Sequence, residues 1–182
     1  MSRAFVNDDA SDARADEAPE LKIPIPPGSR NYLTPEGAAA LADELGRLET
    51  EERPRLSTEL EKASRSGNAA GLAALRSARA RVDRRIEYLS RMAALAETVE
   101  APANGYARVA FGARVLVLGQ DGIERSYRIV GVDEADPEHG LLGWTSPVAR
   151  ALVGKRPGDK AVVRLPEKEL TMTVLGLEPP AC

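Results

Sequence analysis

The sequence predicts an α+β protein, in which a long helical hairpin precedes a small, largely antiparallel sheet with one short helix. Apolar residues recur every three or four positions between residues 34 and 99, as in amphipathic helices, with a polar turn near residue 67. Short runs rich in Val, Ile and Leu follow, and turn residues separate them, as in strands. We therefore expect a tail over residues 1–30, a hairpin domain over 31–100 and a sheet domain over 105–178.

Composition limits the class of protein. The chain has 182 residues, 43% of them hydrophobic, so it can bury a core without metals or disulfides. Its single cysteine, Cys182, cannot form a disulfide framework or a cysteine-rich zinc site within one chain. No apolar run approaches the roughly 18 residues of a membrane span, and the first residues lack the apolar core of a signal peptide. We expect a soluble, cytoplasmic monomer with no cofactor and no membrane contact.

Charge is segregated along the chain, although the formal net charge is only −3. Residues 8–20 and the first hairpin helix are acidic, whereas the second hairpin helix is rich in arginine. The first 30 residues contain few large apolar side chains and end in a proline-rich run, which stops a helix. We predict that this acidic tail is mostly disordered.

A helix start signal follows the tail. Thr34 can cap the free amides, Pro35 suits the first helical position and Glu36 favours the positive end of the helix dipole. Leucines at 41, 45, 48, 56 and 60 and an alanine at 63 then mark one face of a long helix. Pro54 removes a backbone hydrogen bond and clashes with the preceding turn, so we predict a kink or break near residues 50–53.

A second helix is predicted over residues 69–99, because its apolar residues alternate by three and four in a heptad pattern. Two such helices joined by a short turn form an antiparallel coiled coil, in which each buried Leu or Ile contributes roughly 1.5–3 kcal/mol of transfer free energy. Arg79 is the polar residue of this seam. We expect its stem to lie along the apolar stripe and its guanidinium to reach water or an acid of the first helix.

Four apolar runs predict the strands of the sheet domain, at residues 114–118, 126–130, 161–165 and 170–175. Residues 119–122 supply turn residues for a hairpin between the first two strands. One short helix is predicted over residues 146–152, because Ser146 is a capping residue and Pro147 suits the first helical position.

Several segments of the chain resemble the bacterial Gre transcript-cleavage factors, the GreA/GreB family, and the hairpin is similar to GreB-type hairpins. In the hairpin domain these segments are NYLTPEG at 31–37, EERP at 51–54 and DRRIEYL at 83–89. In the sheet domain they are YRIVGVDEAD at 127–136, SPVARALVGK at 146–155 and GD at 158–159. The resemblance covers about residues 31–177 and implies an FKBP-like fold for the sheet domain.

The resemblance also implies that the chain contacts bacterial RNA polymerase through both of its domains. The sheet domain is expected to dock on a coiled coil of the β′ subunit, at the rim of the secondary channel, while the hairpin passes down the channel toward the catalytic magnesium. The residues expected to contact the β′ coiled coil are Asp133, Glu134, Thr145, Ser146, Pro147, Val148 and Arg150. Arginines of the second helix are candidates for contact with nascent RNA or DNA through phosphate charge, namely Arg76, Arg79, Arg81 and Arg84.

The tip of the hairpin departs from the family pattern. Cleaving members carry an Asp and a Glu there, which help to hold a second Mg²⁺, a hard cation that favours anionic oxygen. The channel-facing tip of this chain contains no carboxylate and consists of Ser64, Arg65, Ser66, Gly67 and Asn68. One alignment places Ser64 and Gly67 at the acid positions, and a second places Asn68 at the position of the Glu. We therefore predict no metal at the tip, no transcript cleavage and no enzyme activity.

The prediction is a Gre-family factor that regulates elongation or initiation from the secondary channel, as a competitor or inhibitor of cleaving Gre factors. Four modes of action are compatible with the sequence: competition with cleaving factors, obstruction of nucleotide entry, altered pausing and altered stability of the open complex. One alternative is an active cleavage stimulator that uses Glu59 or Glu61 of the helix stem, several ångströms behind the tip. A second alternative is an FKBP-like binding module that regulates a nucleotide-metabolising enzyme, against which the long hairpin argues.

Overall fold

The structure is a computed structural model that describes residues 22–66, 69–164, 166 and 169–178. Most of the predicted tail, residues 1–21, and the tip residues Gly67 and Asn68 lie outside the described residues. The hairpin domain consists of β1 (Asn31–Leu33), α1 (Pro35–Arg47), a π-helical turn (Leu48–Glu52), α2 (Arg53–Ser66), α3 (Ala69–Ala94) and β2 (Ala96–Thr98). The sheet domain consists of β3 (Arg114–Gly119), β4 (Glu124–Val130), a 3-10 turn (Pro137–His139), β5 (Leu141–Gly143), α4 (Pro147–Leu152), β6 (Lys160–Arg164) and β7 (Glu169–Glu178). The predicted α+β class is confirmed.

The first arm of the hairpin begins at the predicted cap and changes its hydrogen-bonding pattern close to Pro54. The Thr34 hydroxyl accepts a hydrogen bond from the Gly37 amide at 3.0 Å, and Pro35 occupies the first helical position. The π-helical turn lies directly before Pro54, and within it the Arg53 amide donates to the Leu48 carbonyl. Because a proline has no amide to continue the regular ladder, the chain shifts to the longer-range bond of a π turn. The sequence predicts a kink or a break near residues 50–53; the structure has a local change to π-type hydrogen bonding there, within an arm that stays helical.

The second arm ends earlier than the periodicity predicts. We expected helix to residue 99, but α3 ends at Ala94, and β2 pairs in parallel with β1 through Asn31↔Ala96 and Leu33↔Thr98. Asn31 is fully buried at this point; its side-chain amide donates to the Met92 carbonyl at 3.1 Å, and its backbone amide donates to the Leu95 carbonyl at 2.8 Å. These donors satisfy the last carbonyls of α3, so the helix can end and the chain can pair with β1.

The hairpin is packed most tightly at its base. Leu48 and Leu56 of the first arm and Leu89 and Met92 of α3 are buried, whereas Leu60, Leu72 and Leu75 nearer the tip are half-buried. The seam is therefore anchored beside the sheet domain and becomes more accessible toward the tip.

The sheet domain is a five-stranded mixed sheet in the order β5-β4-β3-β7-β6. All neighbouring strands are antiparallel except β4 and β5, which pair in parallel through residues 128–130 and 141–143. The four predicted strands are present, with β7 extending to Glu178, and β5 is an additional strand that the sequence did not predict. α4 follows the Ser146 cap and packs on the sheet with Ala149 and Leu152 fully buried. The core beneath it includes Val115, Val117, Ile129, Val163 and Val174.

No helix in the described part of the chain is both long enough and apolar enough to cross a membrane.

Candidate functional site

The tip of the hairpin presents exposed, uncharged or cationic side chains. α2 carries Ser64, Arg65 and Ser66 on its last turn, all exposed, and α3 begins at Ala69. The other two tip residues, Gly67 and Asn68, lie outside the described residues, and neither is an acidic residue. The carboxylate-free stretch extends from residue 62 to residue 82, between Glu61 and Asp83. The whole end of the hairpin is thus without anionic side chains.

The acids closest to the tip are each paired with a cation of the same helix. Arg55 donates to Glu59 at 3.0 Å, and since Arg55 lies one turn toward the base, Glu59 is held away from the tip. Glu61 lies 3.8 Å from the guanidinium of Arg65. Ser66 is five residues beyond Glu61, which corresponds to about 7.5 Å of helix rise. The structure therefore brings neither stem acid to the end of the hairpin.

The arginines of α3 divide into two kinds. Arg79 is held in the seam, where its Nε lies 2.9 Å from Asp83 and its guanidinium donates to the Ser57 hydroxyl of α2. Asp83 also forms an ion pair with Arg53 of α2, whose Nε lies 3.0 Å from it. Of the two expected partners, an acid of the first helix is not the one that Arg79 binds: its acid belongs to α3 itself, and α2 contributes a hydroxyl. Arg79 therefore ties the two arms together and is a poor candidate for nucleic-acid contact.

The other three arginines, Arg76, Arg81 and Arg84, form an outer arginine face. They are exposed, and within the described residues none of them has an ion-pair or hydrogen-bond partner. At 100° per residue they fall within an arc of about 140°, on the side of α3 opposite its apolar seam. This face keeps its full positive charge available for a partner.

Two of the expected docking residues instead join the two domains. Glu134 follows β4, and its carboxylate accepts the Thr34 amide at 3.0 Å, the Gly131 amide at 3.2 Å and the Thr34 hydroxyl. Asp133 accepts the Tyr88 hydroxyl of α3 at 2.7 Å, while its own side chain is exposed. The Glu134 carboxylate is thus used internally, and Asp133 is shared between the junction and the surface.

Tyr88 belongs to a short polar chain across the base of the hairpin. Its ring lies under the Arg85 guanidinium, 5.3 Å from centroid to carbon, and Arg85 binds Glu44 of α1 through two hydrogen bonds of 2.8 Å. The hydrogen bonds from Arg85 lower the pKa of Glu44. Partial burial, and then the bond to Asp133, raise the pKa of Tyr88 above its ordinary value. This series of side-chain contacts, from Glu44 through Arg85 and Tyr88 to Asp133, fixes both arms of the hairpin against the sheet domain.

The remaining docking candidates surround the start of α4. Pro147 and Arg150 are exposed, Thr145 is half-buried, and Val148 is half-buried against the core of the sheet domain. The Ser146 hydroxyl is occupied by the Ala149 amide at 3.2 Å as the helix cap. Pro147 and Arg150 are therefore the residues of this set most available to a partner.

An apolar recess beside α4 is the feature that sequence reasoning missed. It has a volume of about 270 Å³ and is lined by Tyr32, Phe111, Ile129, Trp144, Arg150 and Val153. The Tyr32 and Trp144 rings meet edge to face at 5.5 Å, and Val153 is 48% exposed. Its aromatic residues come from β1 and from two separate loops, so no local pattern in the sequence could have indicated it. The recess extends the exposed surface of α4 with an apolar contact area.

Comparisons with known proteins show the family to which the chain belongs. The family model described as "Transcription elongation factor, N-terminal" matches residues 31–97, and that described as "Transcription elongation factor, GreA/GreB, C-term" matches residues 104–179. Transcription elongation factor GreB of Neisseria meningitidis serogroup B is 37% identical over 155 residues, which cover 82% of this chain and 94% of that protein. Transcription elongation factor GreA of Alkalilimnicola ehrlichii is 39% identical over 146 residues, which cover 78% and 92% respectively. Among solved structures, GreA factor homolog 1 of Thermus thermophilus is 22% identical in sequence, with a TM-score of 0.38. The match covers 82% of this chain and 99% of that protein. The chain belongs to the GreA/GreB family of transcription elongation factors.

Proposed function

We propose that this chain binds bacterial RNA polymerase, inserts its hairpin into the secondary channel and regulates transcription there without stimulating transcript cleavage. The observation that carries this proposal is the carboxylate-free stretch over residues 62–82, which includes the whole tip. A two-metal cleavage centre needs anionic oxygen to hold its second ion. The hydroxyls of Ser64 and Ser66 are neutral, so they cannot supply that charge.

The stem acids do not offer a substitute. Glu59 and Glu61 are each paired with an arginine of their own helix, and both lie behind the last turn of α2. The backbone of Glu61 lies about 7.5 Å behind Ser66 along the helix axis, and that of Glu59 lies farther back. Neither carboxylate therefore belongs to the tip, which supports occupation of the channel without chemistry as the mode of action.

The surface around α4 is the proposed docking surface for the β′ coiled coil. Pro147 and Arg150 are exposed on it, and the neighbouring recess supplies apolar area beside the Arg150 cation. An interface with an apolar centre and a polar rim is the usual arrangement of a protein–protein contact. A factor that docks there and carries an inert tip would compete with cleaving relatives for the same channel.

The outer arginine face is the proposed contact for nascent RNA or for DNA near the channel. Its three guanidiniums are unpaired in the described part of the chain, so phosphates could bind them without breaking an existing ion pair. Arg79 is not part of this contact, because its guanidinium is held by Asp83 and Ser57.

The proposal is tested with stalled, backtracked transcription complexes, purified RNA polymerase and Mg²⁺. We expect this chain to be retained by the polymerase and to give no accelerated release of short 3′ RNA fragments. Added in excess to a reaction that contains a cleaving GreB factor, it should slow the cleavage by that factor. Cleavage by this chain, lost in a Glu59→Gln or Glu61→Gln variant, would contradict the proposal and establish the stem-acid alternative. Failure to be retained by the polymerase would overturn the partner.

A further inference from the structure

The outer arginine face has no partner among the described residues, yet the same chain contains a segment of opposite charge. Residues 8–20 hold six carboxylates and one arginine. In the described part of the chain, Arg76, Arg81 and Arg84 are all exposed and unpaired. The two charge sets are complementary, and their positions in the fold decide whether they can meet.

The described chain begins at the base of the same side of α3. Residues 22, 23 and 25–30 line a cleft together with Arg91 and Leu95, and Ile25 is only 9% exposed. Arg91 lies seven residues beyond Arg84, close to two helical turns, so both lie on one side of α3, and Leu95 directly follows the end of that helix. The chain therefore enters the structure in line with the outer arginine face.

The reach of the acidic segment matches the length of that face. From Arg91 to Arg76 the helix rises by about 22 Å, at about 1.5 Å per residue. A chain between residues 20 and 8 can extend to roughly 40 Å, at about 3.3 Å per residue. The segment can thus lie along the face from its base to Arg76 without strain.

We propose that residues 8–20 bind the outer arginine face of their own chain and mask its positive charge. Each such pair is exposed and individually weak, so the contact depends on several charges together and is weakened by salt, whose screening length is about 10 Å at 0.1 M. A nucleic acid that binds this face must displace the segment. The inference does not depend on the proposed function, since it concerns contacts within one chain.

The contact is measured by paramagnetic broadening in the full chain. A nitroxide is attached at position 11 through Ser11→Cys in a Cys182→Ser background, and amide signals of α3 are compared with those of a diamagnetic label. At low salt we expect signals around residues 76–91 to lose most of their intensity, and high salt should restore them. Replacing Arg76, Arg81 and Arg84 with Gln should abolish the broadening, while Arg55→Gln/Arg108→Gln/Arg156→Gln, with the same change of charge at exposed sites, should retain it.

Three outcomes would overturn the proposal. The first is absence of broadening on α3 at low salt, and the second is broadening that persists in the Arg76/Arg81/Arg84 variant. The third is broadening that appears fully when the labelled and isotope-enriched chains are different molecules, which would mean that a second copy occupies the face. Circular dichroism of each variant verifies that the hairpin remains helical.

Discussion

The chemistry of the tip depends on the charge of a few side chains. If the hairpin reaches the catalytic centre, Ser64→Asp combined with Gly67→Glu, or with Asn68→Glu in the second alignment, should restore metal-dependent RNA cleavage by rebuilding an anionic site. A misplacement of about one ångström can cost roughly a hundredfold in rate, so even weak cleavage counts as restoration. The measurement is the release of 3′ fragments from backtracked complexes.

The matched control for this restoration is Ser64→Asn with Gly67→Gln or Asn68→Gln, which has the same shape without the charge. It should remain inactive, because an amide oxygen does not supply the negative charge that the second Mg²⁺ requires. If all the acidic variants stay inert while polymerase binding persists, geometry and not charge separates this chain from its cleaving relatives.

Tyr88 provides a test of the polar chain at the base of the hairpin. Its pKa is raised above 10.0 in the folded protein by burial and by the bond to Asp133. Above pH 10 the phenol ionises in the unfolded chain while the folded chain keeps its proton, so the free energy of unfolding should fall as the pH rises. In Tyr88→Phe this fall should be smaller. Denaturant unfolding at pH 9 and pH 11 measures the difference, and equal slopes in both proteins would contradict the assignment.

Arg79 shows what sequence can and cannot predict about one residue. Its place on the seam followed from the heptad spacing, which fixes the face on which a helical residue lies. Its pairing with Asp83, four residues along the same helix, is a spacing that the sequence shows. Its contact with Ser57 depends on which residue of the opposite arm lies beside it, and periodicity does not set that register. The structure supplies the answer, with Asp83 and Ser57 as partners.

Among the secondary-structure elements, those with strong local signals were predicted well and those made by distant pairing were not. The caps at Thr34 and Ser146 are present as expected, and the irregularity before Pro54 takes the form of a π turn; all three depend on nearby residues. The end of α3 was wrong because β2 pairs with β1, from which it is separated by 65 positions along the chain (Asn31↔Ala96). β5, with three residues, is too short to show a strand pattern and is held by its parallel pairing with β4. The apolar recess depends likewise on residues brought together only by the fold.

The docking role of α4 is tested by changing only its exposed residues. Pro147→Asp with Arg150→Gln should weaken polymerase binding, because a new charge would be buried in the interface and a cation lost from it. The helix itself should persist, since Asp suits the first turn and Gln is a good helix former. Val148 is left unchanged, because it packs against the core and its replacement would disturb the fold. Binding is measured by competition with a labelled Gre factor.

The matched control for α4 places the same change of charge at the β3–β4 turn, as Gln120→Asp with Ile123→Asp. Ile123 is 53% exposed, so the substitution should leave the core intact. This control should bind the polymerase normally. Equal affinity of the α4 variant, the control and the unchanged chain would remove α4 from the proposed interface.

At the scale of the whole molecule, Glu134 sets how the hairpin is joined to the sheet domain. Its carboxylate binds the residue that caps α1, and two glycines allow its close approach. A Cβ atom at Gly37 would lie 2.1 Å from the Glu134 carboxyl carbon, and one at Gly131 would lie 2.5 Å from a carboxylate oxygen. Because the hairpin is long, a small rotation at its base produces a large displacement of its tip. The position of the tip relative to the sheet domain therefore depends on this junction.

Glu134→Gln tests that dependence, because glutamine keeps the size of the side chain and loses its charge and one acceptor oxygen. Hydrogen bonds to a charged group contribute on the order of 1.5–3 kcal/mol, so the variant should be less stable by roughly that amount or less. Spin labels placed through Ser66→Cys and Gln120→Cys, in a Cys182→Ser background, report the distance between the tip and the sheet domain. We expect a broader distance distribution in Glu134→Gln and weaker competition with a cleaving factor, whereas Glu138→Gln, on the exposed 3-10 turn, should change neither. An equally narrow distribution in both variants would mean that the apolar contacts at the base orient the hairpin without Glu134.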